Sequence, residues 1–442
     1  MRENTSRKKE SLTRNRPFML LMGAQLVSDM GDWMLMLALF TMVGLKMNAT
    51  PWEITMISLC MAVPMMIGGP FGGYLSDRLN RKLLMIISDV ARFAIVGALL
   101  FTDSMWQIYI VLVLKGMMAV LFSPSKSGKV KELIPSAQMN QAVSISSGIE
   151  QITKIIGPAL GGVLVTLIGI KSCFVLDSLS YLLSAILLLG VPRYATVAQE
   201  ENLENTDSKK ADEKLSFWKE MSAGVKLIGS IPILAASVWT IFIMLMVVTI
   251  ADSQVVVLFR GIPNVSENLL GWCMGSSGLG TLVAALLGGK IPWNPLKKIG
   301  LGTAITGVVF GLAAVMINLA GVISWTYAVL FASFFFAGFG AGWTYIPFST
   351  LLQQRTPVAL TGRVFGAVNS LNSTAVILGP VFGGALVTAY GAVPAFILSG
   401  SLTALIGLLL LAGRRMIEQK DERQSAVNTG LVQSQATPEA GI

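Results

Sequence analysis

The feature that most constrains this chain is a succession of apolar runs, nearly all about 20 residues or longer, that recurs from near the N-terminus to residue 413. They fall at 17–46, 52–76, 83–101, 106–125, 139–169, 172–192, 233–259, 268–289, 299–318, 324–350, 363–390 and 393–413. A run of this length crosses the ~30 Å hydrocarbon core of a bilayer as a helix. In lipid only a helix or a closed barrel satisfies its own backbone polar groups. The expected fold is therefore an all-α integral membrane protein with twelve transmembrane helices. Composition points the same way: 13% of the 442 residues are charged and 53% hydrophobic, against roughly 25% charged in a soluble domain. The first run is too long for a signal-peptide core and is expected to be a retained span.

The runs divide six and six. Residues 1–16 form a basic N-terminal segment, 17–192 a first six-helix bundle, 193–232 a linker, 233–413 a second bundle and 414–442 a polar tail expected to be disordered. The linker's start, Arg193 to Ser216, is dense in charge and reads as solvated. Beyond it Phe217, Met221, Val225 and Ile228 recur at helical spacing, which suits a short interfacial helix or an extension of span 7. Of the 33 Lys and Arg, 27 fall on the side of the N-terminus. Lys46, Lys171 and Arg260 fall on the other side, and Arg92, Lys115 and Lys154 inside spans. The excess of positive loops places both termini in the cytoplasm of a multi-pass protein of the cell membrane, plasma or inner.

An internal repeat links the halves. The stretch GPALGGVLVTLIGIKSCFVL from Gly157 returns 222 residues later as GPVFGGALVTAYGAVPAFIL from Gly379, with ten of 20 positions identical. Gly157, Pro158, Gly161 and Gly162 match Gly379, Pro380, Gly383 and Gly384. Small residues let helices approach closely, and Pro bends the span. Two parallel six-span repeats with a site between them near the midplane describe a secondary transporter.

Several chemistries are excluded. The chain has no His, so it lacks the commonest metal ligand and the side chain titrating nearest neutrality. Cys60, Cys173 and Cys273 stand singly in apolar stretches, unlike a disulfide framework or zinc site. No metal or cofactor is expected. Ser127-Gly128-Lys129-Val130 lacks the phosphate-loop spacing and any soluble domain around it. The net charge of +9 is scattered between spans, which argues against nucleic acid. No enzyme activity is expected, and the chain is expected to be a monomer.

Ionisable residues inside a bilayer are expensive and by default functional. They are Asp29, Asp32, Asp89, Arg92, Lys115, Glu150, Lys154, Asp177 and Asp252, with eight of the nine in the first half. At ~1.5 Å per residue, Asp29, Arg92, Lys115 and Glu150 lie roughly 13 to 18 Å from the nearer span end, close to the midplane. Asp89 with Arg92 (i,i+3) and Glu150 with Lys154 (i,i+4) share helix faces; Asp89 is expected to neutralise Arg92, while Glu150 either neutralises Lys154 or stays free to carry a proton. Asp32 and Asp177 lie nearer the outer surface, where water can reach. The first half keeps five acids against three bases, and an uncompensated carboxylate in low dielectric can bind and release a proton near neutrality. Glu150 is the first candidate for proton coupling, followed by Asp29 and Asp32. Trp33, Met34 and Trp343 either pack helices or receive an apolar substrate.

At the end of span 2 the chain reads Gly73-Tyr-Leu-Ser-Asp77-Arg78-Leu-Asn80-Arg81-Lys82. This resembles the loop signature G-x-L-a-D-R-x-G-R-K of the major facilitator superfamily, departing at Asn80. The corresponding loop of the second half, Gly289 to Lys298, has no Asp. The span-5 motif around Gly157 resembles the antiporter signature of that superfamily, with Thr153 in place of its first Gly. Gly31-Asp32-Trp33, Lys131 to Pro135, Asn140 to Ala142, Phe174 to Asp177 and Gly362-Arg363 resemble the macrolide-efflux and enterobactin-exporter-like branch. The resemblance covers residues 17 to 413. It implies the major facilitator fold and export of an amphiphilic small molecule, a drug, antibiotic or siderophore-like metabolite, coupled to protons by alternating access. A lipid flippase or metabolite importer of the same fold is the alternative. It also implies that Asp77 meets the start of span 11, at Arg363, as a cytoplasmic latch. Arg78, Arg81 and Lys82 are then expected at the anionic lipid headgroups.

Overall fold

The computed structural model describes residues 12–135, 138–193, 225–262, 267–288, 290–318, 326–356 and 361–435. All regular structure among them is helical. Among the described residues, twelve helices have the length and apolarity to cross a membrane. They are α1 (Arg16–Thr41), α2 (Pro51–Arg78), α3 (Arg81–Gly97), α4 (Met105–Leu133), α5 (Met139–Ile168), α6 (Ile170–Leu189), α7 (Pro232–Asp252), α8 (Glu267–Gly288), α9 (Pro295–Asn318), α10 (Thr326–Arg355), α11 (Thr361–Tyr390) and α12 (Ala392–Gln435).

Local sequence explains their ends. The Asn15 side chain accepts from Phe18 N at 3.1 Å with Pro17 in the first turn, and Thr50 and Glu53 close a capping box around Pro51. Asn80, the residue that departs from the loop signature, caps α3 by accepting from Leu83 N at 3.1 Å. At the repeat offset of 222 residues, α5 passes to α6 through Gly169 and α11 to α12 through Gly391, with φ of +83° and +86°. That left-handed conformation strains any residue with a Cβ. Pro158 and Pro380, also repeat mates, lie inside α5 and α11.

The chain divides into two compact units, Met1–Glu213 with Val265–Gly275, and Lys214–Asn264 with Ser276–Ile442. Within the first, α1 packs on α5 and α6, α2 on α4, and α3 on α4 and α6. Within the second, α9 packs on α10 and α12, and α7 on α11 and α12. Large apolar side chains such as Leu167, Ile186, Leu189 and Leu409 are more than half exposed. Lipid can cover such faces, whereas soluble monomers rarely expose large contiguous apolar patches.

Three boundaries differ from the sequence reading. The apolar run 233–259 is not one helix: α7 stops at Asp252, and Val255–Phe259 forms a separate short helix. Asp252 thus sits exposed at a helix end. Second, α4 continues eight residues past its apolar run, carrying Lys126, Lys129 and Glu132 on helix. Third, the tail expected to be disordered from 414 is helical to Gln435. Its polar residues are largely good helix formers. Asp421, 8% exposed, pairs with Arg355 at 3.0 Å, and Gln424 Nε2 donates to Ser230 O at 2.8 Å. In the expected interfacial helix, residues 225–230 are helical and Ile228 is buried against Leu234 and Phe348. Phe217 and Met221 lie outside the described residues.

Candidate functional site

The intramembrane charges of the first unit gather in two clusters one turn apart along α1. Gln25 organises the first. Its Nε2 lies 3.2 Å from Asp29 Oδ2 and 3.3 Å from Glu150 Oε1, and its Oε1 accepts from Ser146 Oγ at 2.8 Å. Lys126 Nζ reaches Glu150 Oε1 at 3.1 Å. The Glu150–Lys154 alternative thus gives way to a pair between α5 and α4. Lys126 became available because α4 runs beyond its apolar stretch. The Glu150 side chain is 51% exposed, so it is accessible from outside the packed helices. Lys154 is exposed on α5.

The second cluster is buried among α1, α3, α4 and α6. Asp89 and Arg92 form the expected pair at 2.6 Å, with side chains 0% and 6% exposed, and Ser184 Oγ donates to the other Asp89 oxygen at 2.6 Å. The guanidinium lies 4.4 Å from the ring centre of Phe122 and 4.5 Å from that of Tyr181, a cation–π arrangement. Lys115, which has no partner at helical spacing, meets Asp32 Oδ1 at 2.5 Å as an ion pair whose angle leaves no well-formed hydrogen bond. Tyr181 OH donates to that same oxygen at 2.5 Å. Asp177, expected near water, is fully buried instead. The reason is Gly31, where a Cβ would overlap Asp177 Oδ1 and Ser180 Oγ. Without that Cβ, α6 sits tight on α1.

The packing motif does close-contact work. A Cβ on Gly157 would overlap Trp33 Cβ, one on Gly161 would sit 3.1 Å from Met34 Cα, and one on Gly162 would strike the backbone of Gly271 in the same unit. In the second unit Gly379 abuts Thr249 and Gly383 the backbone of Ile250, while Gly384 O accepts from Thr388 at 2.7 Å. Trp33 and Met34 are thereby at a helix contact. Trp343 is 7% exposed against Phe339 and Trp293, a core position and not an open substrate surface.

The loop between α2 and α3 is tied to protein more than to solvent. Arg81 reaches Asp77 at 3.1 Å and Glu132 at 2.8 Å, and Glu132 also holds the fully buried Lys129 at 2.6 Å. Lys82 Nζ donates to Leu189 O at 2.7 Å, and Arg78 lies over the Tyr74 ring. Arg81 and Lys82 therefore fasten the loop to the ends of α4 and α6, in place of the headgroup contacts expected for them. Carbonyls and Glu132 at those helix ends supply stronger partners. Gly73 has open space where its Cβ would be, whereas a Cβ on Gly72 would strike Val120 O. Arg363 opens the first turn of α11, but its side chain lies outside the described residues.

Gln25, Lys126, Tyr181 and Ser184 went unnoticed in the sequence. Two of them carry a spacing signal: Gln25 precedes Asp29 by four residues, and Tyr181 follows Asp177 by four.

Twelve membrane-length helices in two sets joined by a sequence repeat define a multi-pass helical membrane protein of transporter architecture. The chain belongs to the Major Facilitator Superfamily, whose family model matches residues 21–371 and 233–436. The uncharacterized MFS-type transporter YfiS of Bacillus subtilis (strain 168) is 34% identical over 93% of this chain and 96% of its own length. Enterobactin exporter EntS of Citrobacter koseri is 24% identical, covering 83% and 84%. Macrolide efflux protein A of Streptococcus pyogenes is 22% identical, covering 80% and 86%. The branch resemblance read from the sequence agrees with these relatives. A crystal structure of a bacterial homologue of the human lysosomal transporter Spinster, inward-facing and unoccupied, superposes with a TM-score of 0.63. It is 12% identical and covers 92% of this chain and 98% of that one, a likeness of fold alone.

Proposed function

We propose that the chain exports an amphiphilic small molecule across the cell membrane in exchange for protons, by alternating access, with both termini cytoplasmic. The observation that carries this reading is the Gln25 bridge. One amide holds Asp29 and Glu150 together with Lys126 as cation, and a proton bound by either acid relieves their mutual repulsion. Glu150 is open enough to exchange that proton. Two relatives, named as exporters of enterobactin and macrolides, support the direction and the substrate class. So does an apolar groove of about 530 Å³ between α2 and α4, lined by residues including Val63, Pro64, Phe71, Met117 and Met118, within the size range of small-molecule pockets. The family resemblance also assigns Asp77 a latch role toward the cytoplasm, and in this conformation Asp77 pairs with Arg81.

The test uses purified chain in proteoliposomes with an acidic lumen and an amphiphilic fluorescent dye outside. Accumulation that collapses with a protonophore is expected. Dye movement indifferent to the gradient refutes proton coupling, and lipid translocation without dye accumulation favours a flippase.

A further inference from the structure

The buried cluster contains three carboxyls and two cations, and the pairing is already taken. Asp32 holds Lys115 and accepts from Tyr181, and Asp89 holds Arg92 and accepts from Ser184. The third acid, Asp177, is fully buried. Its Oδ1 lies 3.3 Å from Ser180 Oγ, a hydroxyl that also lies 2.7 Å from the Asp177 carbonyl. Its Oδ2 is buried with no hydrogen-bond partner among the described residues. A carboxylate with an unsatisfied oxygen and no cation of its own is a costly group to bury. A neutral acid in the same place lacks only a hydrogen bond.

The groups facing Asp177 from each element are few. Asp32 on α1, Arg92 on α3, Lys115 on α4 and Tyr181 on its own helix act on it electrostatically. Asp89 stands behind Arg92. On α5, which also packs on α6, Glu150 and Lys154 are exposed and Glu150 is held by Lys126 and Gln25. No further cation is committed to Asp177 by these contacts.

We propose that Asp177 is a second proton-binding site, occupied in this conformation and distinct from the Asp29–Glu150 pair. When its proton leaves, it passes by way of the Asp32 carboxylate, 36% exposed, to water, and the Asp177 carboxylate remains. Lys115 then faces two competing anions and can shift from Asp32 toward Asp177, which loosens α1 from α4. Proton release at Asp177 is in this way converted into helix movement. The role in transport rests on the proton-coupled reading above, but occupancy of the site is readable without transport.

Infrared difference spectroscopy of the full chain in lipid, titrated from acid to alkaline pH, reads the carboxylic-acid C=O stretch directly. The expected result is one such band present at neutral pH, lost in Asp177→Asn and retained in Asp29→Asn and Glu150→Gln. If Asp177→Asn does not insert, Asp177→Glu decides, because a carboxyl on a longer stem moves the band without deleting it. A neutral-pH spectrum unchanged by either substitution overturns the site. A wild-type chain that shows the band yet ignores a proton gradient would sink proton coupling and leave the site standing.

Discussion

Replacing Asp89 by Asn removes one charge from a pair shielded from solvent, with side chains 0% and 6% exposed. The amide keeps the size of the carboxylate and its oxygen can still accept from Ser184, so the chief loss is the charge facing Arg92. Leaving one member of a buried pair uncompensated costs about 3–5 kcal/mol. The rings of Phe122 and Tyr181, at 4.4 and 4.5 Å, hold the guanidinium in place and keep their own attraction of ~0.5–2 kcal/mol. Asp32, held through the same Tyr181, offers Arg92 a second anion, which argues for the lower end. The expected loss is about 3 kcal/mol, or about two decades in the folded-to-unfolded ratio. Removing both charges, with Asp89→Leu and Arg92→Met, leaves apolar volume in an apolar setting. That double variant should lie within about 2 kcal/mol of the wild type. Ser184 can then turn its hydroxyl to the preceding helical carbonyl. Denaturant unfolding in mixed micelles, followed by Trp fluorescence, measures all three chains. A single variant within about 1 kcal/mol of wild type, or a double variant as unstable as the single, refutes the assignment of Asp89 as the chief counter-charge of Arg92.

Other consequences are open to direct measurement. Glu150→Gln should abolish gradient-driven accumulation while dye binding persists, because the Gln25 bridge keeps its shape; normal uphill transport by correctly inserted protein would remove Glu150 from the mechanism. Gly31→Val should cost about 1–3 kcal/mol by overpacking against Asp177 and Ser180, read as a lower unfolding midpoint; an unchanged midpoint contradicts the tight α1–α6 contact. Asp421→Asn breaks a partly exposed pair worth about 0–1 kcal/mol, so global stability should hold while protease cuts near residue 424 come sooner; equal cutting rates would deny the clasp a role. Cysteines placed at Lys209 and Ser425 should react only from the cytoplasm and one at Asp103 only from outside, whereas external labelling at 425 would reverse the orientation.

How much of this was legible follows from what each signal reports. Apolar runs report burial in lipid, so span number and approximate position were readable. They do not report where a helix stops, since a helix can leave the bilayer and continue in polar sequence. The apolar run of α4 ends at residue 125, so Lys126, one residue later and the partner of Glu150, carries no signal of lying on that helix. Pairs within one helix are local, and Asp89 with Arg92 was found from spacing alone. Lys115 with Asp32, and Arg81 with Glu132, are separated by tens of residues, and only helix packing brings them together. The burial of Asp177 turned on the missing Cβ of Gly31 in another helix, a fact that depth counted along α6 could not contain.

The repeat separates what the fold needs from what transport needs. Gly157 lets α5 close on Trp33 of α1, and its mate Gly379 lets α11 close on Thr249 of α7, the same first-to-fifth helix contact in each half. Gly169 and Gly391 make the same left-handed join. Those positions are kept because packing demands them. The charged positions behave differently: at the same sequence offset of 222 residues Glu150 is matched by Asn372, Lys154 by Val376 and Asp177 by Ser399. Ser399 meets its own need locally by donating to Val247 O at 2.6 Å. The second unit therefore builds the same six-helix architecture with neutral residues where the first carries ionisable ones. Since a buried charge pair seldom adds net stability, the fold gains little from the acids and bases of the first unit. Neutral residues at the matching positions of the second unit show that the six-helix packing itself does not require those acids and bases.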